Sequence, residues 1–225
     1  MEANVDSITM SKYTLESKIL QKEASKDKLE EMRRGLARHF TLPVVSVIAR
    51  TGISPNGVTW FGFALSVFAA ALAVYGYFLM AGLVSLVAAF CDTLDGALAR
   101  YLSRVTRFGA VLDSTLDRLS EGVMLLGILV WYLRMSDERP FIPVLLVGIT
   151  IIASYLVSYI RARAEGMGLK CEVGISTRTE RVILTSLGLL FSQITIALVV
   201  VAVMSSVTVC QRLYYVWQQT RKDKT

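Results

Sequence analysis

TGISPNGVTWFGFALSVFAAALAVYGYFLMAGLVSLVAAFC, residues 51–91, contains no charged side chain, and DTLDGALAR, residues 92–100, follows at once. A membrane crossing needs about 20 helical residues at 1.5 Å of rise each. The 41 uncharged residues therefore suffice for two crossings, with Tyr75-Gly76-Tyr77 as the break between them. The whole chain agrees with that reading. Of its 225 residues, 54% are hydrophobic and the mean hydropathy is +0.53, more apolar surface than a soluble domain of this size needs. The expected fold class is all-α: a polytopic membrane protein.

Working outward, residues 1–35 read as a polar, mixed-charge, helical arm with no apolar core, so no signal peptide is expected. Residues 36–50, LARHFTLPVVSVIAR, place apolar side chains between Arg38 and Arg50 with Pro43 inside. This is the pattern of an N-terminal amphipathic interfacial helix. SPNGV at 54–58 opens span one with a proline and a turn-forming Asn-Gly. Span one is expected at 57–77, span two at 79–102, span three at 107–133 and span four at 140–165, starting at Pro140. A polar loop with Gly166, Gly168 and Gly174 leads to STRTER at 176–181. The uncharged run 182–211 is long enough for one tilted span or for two short ones turning near Ser192-Gln193.

Charge asymmetry decides between these, because Lys and Arg collect on the cytoplasmic side of short loops. Six spans put 21 of the 24 Lys and Arg residues on one side, with Arg118 inside span three. The other side keeps Arg134 and Arg139, offset by Asp137 and Glu138. Five spans would strand Arg212, Arg221, Lys222 and Lys224 outside. Six transmembrane helices in the cell membrane, both ends cytoplasmic, is the expectation. It divides the chain into an arm with a juxtamembrane helix (1–50), a membrane domain (51–218) and a cytoplasmic tail (219–225).

Other features read plainly. Cys91, Cys171 and Cys210 lack metal-ligand spacing, and a single histidine, His39, gives little support to zinc or histidine-base chemistry. The charged run from Lys22 to Arg34 suits a membrane-surface helix and not a nucleic-acid site. The net charge of +6 follows from topology and anionic headgroups. Tyr214, Tyr215 and Trp217 suit an interfacial aromatic belt.

The acids are what apolar spans do not explain. Asp92, Asp95, Gly96 and Ala99 stand at helical offsets of three and four and share a face of span two. Gly109, Asp113 and Asp117 repeat every four residues on span three, with Glu121 extending the stripe deeper. Consecutive antiparallel spans can set these stripes at one depth. Carboxylates gathered there repel strongly, and one or two divalent cations resolve the conflict. Oxygen ligands favour Mg²⁺, Mn²⁺ or Ca²⁺. Small residues alone would mean close helix packing. A cation-coupled transporter is the competing use of such acids, although its site is expected at the midplane and these lie near one interface.

The pattern D-x-x-D-G-x-x-A-R, eight residues, then G-x-x-x-D-x-x-x-D resembles the signature of the CDP-alcohol phosphotransferases. Here it is Asp92, Asp95, Gly96, Ala99, Arg100, Gly109, Asp113 and Asp117, eight fixed positions over 26 residues, with no departure. SPNGVT, TRFGAVLDSTLDRLSEG, SYIRARAEGMGL and RTER resemble the branch that makes phosphatidylinositol phosphate or archaetidylinositol phosphate. Residues 1–30 fall outside the resemblance.

The resemblance implies a six-helix homodimer whose active site opens to the cytoplasm. A CDP-activated lipid, CDP-diacylglycerol or CDP-archaeol, gives its phosphatidyl group to an alcohol and CMP leaves. Two Mg²⁺ ions (Mn²⁺ being possible) would be held by Asp92, Asp95, Asp113 and Asp117, with Asp117 as general base. Gly96, Ala99 and Gly109 would leave room for the CDP-lipid, with Arg100 as a phosphate ligand and Thr106 as a nucleotide contact. Arg161, Arg178, Arg181 and Arg212 would bind the phosphate of the acceptor, inositol 3-phosphate first and glycerol 3-phosphate second. Many relatives carry lysine where Arg161 stands, so the acceptor stays open. Lipid tails meet generic apolar surface and are not legible.

Overall fold

The structure, a computed structural model, describes residues 41–135 and 140–222. The Lys22–Arg34 run, His39, Asp137, Glu138, Arg139 and Lys224 lie outside the described residues. Every element among the described residues is a helix. They are α1 (Thr41–Arg50), α2 (Pro55–Val74), α3 (Phe78–Tyr101), α4 (Arg107–Met135), α5 (Phe141–Glu165), α6 (Arg178–Leu190) and α7 (Ile194–Lys222).

The unit that ends at Gly52 contains α1, whose ten described residues are apolar and fewer than a crossing needs. Its last turn closes where the Thr51 N–H and hydroxyl both donate to Ile48 O, at 3.0 and 2.7 Å.

The second unit contains α2–α7. Ser54 caps α2 by accepting from Gly57 N–H at 3.1 Å, and Pro55 sits at the first helical position, where its missing N–H costs nothing. The helix therefore begins two residues earlier than expected. It ends at Val74, short of 77, because Gly76 turns the chain at φ +81°. Thr106 caps α4, its hydroxyl accepting from Gly109 N–H at 3.0 Å. At α6 the Glu180 carboxylate reaches back to the Thr177 N–H. This capping box starts the helix at Arg178, so RTER is its first turn and not part of the preceding loop.

Helices α2, α3, α5 and α7 are long and apolar enough to cross a membrane. Helix α4 has the length, 29 residues, but carries its acids in its first half. Helix α6 has 13 residues, about 20 Å of rise. It is followed by a tight reversal in which Ser192 takes φ +55°.

These six helices pack as a closed ring, in the order α2, α3, α6, α7, α5, α4 and back to α2. Close approach depends on small residues. A Cβ on Gly82 would lie 2.8 Å from Ser186 O, and one on Gly127 2.7 Å from Ala70 O. One end of the ring holds the apolar core, including Ala69, Ala81, Leu125, Ile128, Leu189 and Leu198. The other end gathers the start of α2, the end of α3 and the starts of α4 and α6. Helix α2 packs on both α3 and α4, which have no comparable packing on each other among the described residues. The two acidic stripes therefore face a gap and not a sealed seam.

Candidate active site

One carboxylate oxygen from each of Asp92, Asp95 and Asp113 lies within 4.8 Å of the others. At that separation and an effective dielectric of about 20, each pair of negative charges repels by about 3 kcal/mol. Asp95 is 4% exposed. Its Oδ1 accepts from Gly96 N–H at 2.5 Å, while Oδ2 is buried with no hydrogen-bond partner. The Thr59 hydroxyl, within reach of the Asp95 carboxylate, donates to Pro55 O at 3.1 Å. A buried carboxylate oxygen without a donor, in an all-oxygen cluster, fits a hard divalent cation.

Asp117 is not one of that triplet but adjoins its member Asp92. It meets Arg178, whose Nη1 is 2.5 Å from Asp92 Oδ2 and 2.6 Å from Asp117 Oδ1. Arg118 approaches Asp117 Oδ2 at 3.4 Å and donates to Ser114 O at 2.7 Å. Glu121 continues the stripe in sequence but pairs with Arg181, buried inside the bundle.

Beside the triplet opens a cavity of about 380 Å³. Gly96, Ala99, Arg100, Thr106 and Gly109, the five residues expected to meet the CDP-lipid, all line it, together with Asp95 and Asp113. Pro55, Asn56, Thr59 and Arg104 complete much of the wall, a role that the helix-start reading of SPNGV does not give to Pro55 or Asn56. Pro55, Asn56 and Thr59 all lie within SPNGVT, whose family resemblance is the available signal. A Cβ on Gly109 would stand 2.9 Å from Thr106 Oγ1 and 3.2 Å from Asn56 Oδ1, so that wall tolerates no side chain without a shift.

The four arginines expected around an acceptor divide. Arg161 and Arg181 each lie within Coulombic reach of Arg212. Arg161 is half exposed and pairs with Glu165 at 2.8 Å. Arg181 is 2% exposed and forked onto Glu121. Arg212, also buried, donates to Val157 O at 2.5 Å and Val173 O at 2.9 Å. Arg178 instead reaches the carboxylates of α3 and α4. The 166–177 loop between these arginines is pinned to α7, where Thr208 Oγ1 accepts from Ile175 and Ser176 N–H at 3.2 and 3.0 Å.

Residues 52–210 match the family model for CDP-alcohol phosphatidyltransferase. The chain belongs to the CDP-alcohol phosphatidyltransferase family. Among its relatives in that family, the archaetidylinositol phosphate synthase of Pyrococcus horikoshii is 40% identical over 172 residues, 74% of this chain and 85% of that protein. The phosphatidylinositol phosphate synthase of Mycobacteroides abscessus is 40% identical over 185 residues, 79% of this chain and 83% of that protein. The structure is similar to that of Mycobacterium tuberculosis phosphatidylinositol phosphate synthase in complex with manganese and citrate. That likeness has a TM-score of 0.73 at 36% identity, covering 79% of this chain and 88% of the other. The same enzyme with CDP-DAG bound gives a TM-score of 0.73 at 35% identity, covering 80% and 94%. A CDP-alcohol phosphatidyltransferase is an enzyme, and the transporter reading of the same acids gives way to it.

Proposed function

We propose that this chain transfers the phosphatidyl or archaetidyl group of a CDP-activated lipid to a phosphorylated alcohol, with inositol 3-phosphate as acceptor. CMP leaves, and phosphatidylinositol phosphate or its archaeol counterpart forms. The observation that carries this reading is the single cavity that unites Gly96, Ala99, Arg100, Thr106 and Gly109 with Asp95 and Asp113. The names of the relatives support the acceptor.

Asp92, Asp95 and Asp113, joined by Asp117, would hold two divalent ions, Mg²⁺ or Mn²⁺. Bound there, such ions neutralise the pyrophosphate and the charge that develops on departing CMP. The bare wall at Gly96, Ala99 and Gly109 admits the nucleotide. Arg100 offers a guanidinium to a phosphate and Thr106 a hydroxyl to the nucleotide. Asp117 takes the proton of the attacking hydroxyl. As the acceptor oxygen bonds to the lipid-bearing phosphorus, the bond from that phosphorus to CMP breaks, and CMP departs with the electron pair. Arg161, Arg181 and Arg212 supply the positive field that holds the acceptor's phosphate, and Arg178 joins them when it leaves the carboxylates.

Six membrane crossings fit this chain if α4 crosses with its acids at one interface and the short α6 is completed by the pinned loop before it. Arg100, Arg104, Arg107, Arg161, Arg163 and Lys170 then crowd the site's end, which makes that side cytoplasmic in the cell membrane. Residues 51–218 are the catalytic membrane domain of a homodimer, flanked by the 1–50 arm, with its interfacial helix, and the 219–225 tail.

The test is CMP release by purified chain in nanodiscs with CDP-diacylglycerol or CDP-archaeol, Mg²⁺ and one alcohol at a time. Release that requires inositol 3-phosphate supports the proposal. Release that requires glycerol 3-phosphate moves the chain to phosphatidylglycerophosphate synthesis, and no release with any acceptor overturns it.

A further inference from the structure

Two arginines one turn apart on α6 meet two acids one turn apart on α4, and the two rungs are built differently. In the deeper rung, Arg181 engages all three of its nitrogens. Nε and Nη2 donate to the two oxygens of Glu121 at 2.6 and 2.7 Å, and Nη1 lies 3.5 Å from Ser176 O. In the upper rung, Arg178 meets its acids end-on. Its one Nη1 nitrogen serves both Asp92 Oδ2 and Asp117 Oδ1, and its Nε is buried with no partner.

A guanidinium that belongs permanently to a fold makes the forked contact, because its planar donors match two carboxylate oxygens at once. Arg178 does not. It acts as a point charge bridging two carboxylates from different helices, and it leaves a buried donor unsatisfied, which is costly. It stands where the acids of α3 and α4 meet, beside the triplet of Asp92, Asp95 and Asp113, with which it shares Asp92.

We infer that Arg178 is a displaceable internal cation that competes with a second divalent ion for Asp92 Oδ2 and Asp117, while the first ion is held chiefly by Asp95 and Asp113, which Arg178 does not engage. The inference rests on the metal-dependent reading of the site. Oxygens engaged by a guanidinium cannot also ligate a divalent cation without setting two positive charges side by side. Filling the second position therefore requires the Arg178 side chain to swing off Asp92 and Asp117. The freed guanidinium, at the first residue of α6 and one turn from Arg181, is then available to a phosphate. Filling of the cation site and readiness of the acceptor side become one event.

Mn²⁺ binding to the purified full chain in nanodiscs, followed by electron paramagnetic resonance, reads this directly. The wild type is expected to bind one ion tightly and a second at least tenfold more weakly. In Arg178→Gln the weaker site tightens at least tenfold and the tighter one, which shares only Asp92 with Arg178, changes far less. Unchanged affinities in Arg178→Gln overturn the inference and leave the metal reading intact. Absence of Mn²⁺ binding from both proteins overturns the metal reading and the inference with it. A measurement on wild type covers the case in which the variant does not fold. Peptide mass spectrometry after phenylglyoxal treatment should find Arg178 modified faster with saturating Mn²⁺ than without it. An equal or slower rate contradicts the inference.

Discussion

Arg181 on α6 and Glu121 on α4 meet as a fork inside the helix ring, with Nε to Oε1 at 2.6 Å and Nη2 to Oε2 at 2.7 Å. Neither side chain has an appreciable share of solvent, at 2% and 8% exposure. The pair ties the start of α6 to the helix that carries Asp113 and Asp117. It thereby holds the start of α6 in register with the acidic stripe of α4.

Breaking one partner of a buried pair leaves the other charge stranded, at a cost of about 3–5 kcal/mol. Glu121→Ala should therefore lower the thermal midpoint in detergent by several degrees. The double variant Glu121→Leu with Arg181→Met should recover much of the loss. Thermal unfolding of the three proteins checks this, and equal stability of the single variant and wild type would contradict it.

Asp117→Asn keeps the shape of the side chain but removes its capacity to take a proton. Turnover should fall by about two to four orders of magnitude, the usual contribution of a general base. CDP-lipid affinity should fall far less than turnover, since Asp117 does not line the cavity beside the triplet and shares its ion with Asp92. Single-turnover kinetics with a separate binding titration tests this, and retained turnover removes Asp117 from the role of base.

Gly109→Ala would press a methyl group to within 2.9 Å of Thr106 Oγ1 and 3.2 Å of Asn56 Oδ1. Overpacking of this kind costs about 1–3 kcal/mol, enough to raise the CDP-lipid KM roughly tenfold or more. The acceptor KM should move far less. Initial-rate kinetics with each substrate varied in turn separates the two, and an unchanged CDP-lipid KM would contradict the cavity's assignment.

Arg161→Ala removes a guanidinium whose carboxylate partner, Glu165, lies on its own helix one turn away. Such an exposed pair contributes little to stability, so the variant reports on function. The acceptor KM should rise at least tenfold with the CDP-lipid KM nearly constant. Equal changes in both would argue against an acceptor phosphate at this end of α5.

Much of this was legible in residues 51–117. The uncharged run 51–91 announced two helices, and the periodicity of Asp92, Asp95, Gly109, Asp113 and Asp117 placed their acids on facing stripes. Local capping chemistry is legible too: Thr177 and Glu180 form the capping box that starts α6 four residues before the apolar run. The partners of the arginines were not legible. Arg178 and Arg181 sit three residues apart in one motif, yet one meets Asp92 and Asp117 and the other is locked to Glu121. Which carboxylate faces which guanidinium depends on how α4 and α6 are placed around the ring, and spacing along one helix carries no information about that. The gap between α3 and α4 is equally non-local, since it exists because α2 packs on both.

The central claim is phosphatidyl transfer to an acceptor that keeps its own phosphate. Mass spectrometry of the lipid product, formed from CDP-diacylglycerol and ¹³C-labelled inositol 3-phosphate with Mg²⁺, tests it most directly. The predicted product is a labelled phosphatidylinositol carrying a second phosphate, made one for one with CMP. Labelled phosphatidylinositol without that phosphate, or CMP formed with no labelled lipid, would contradict the account.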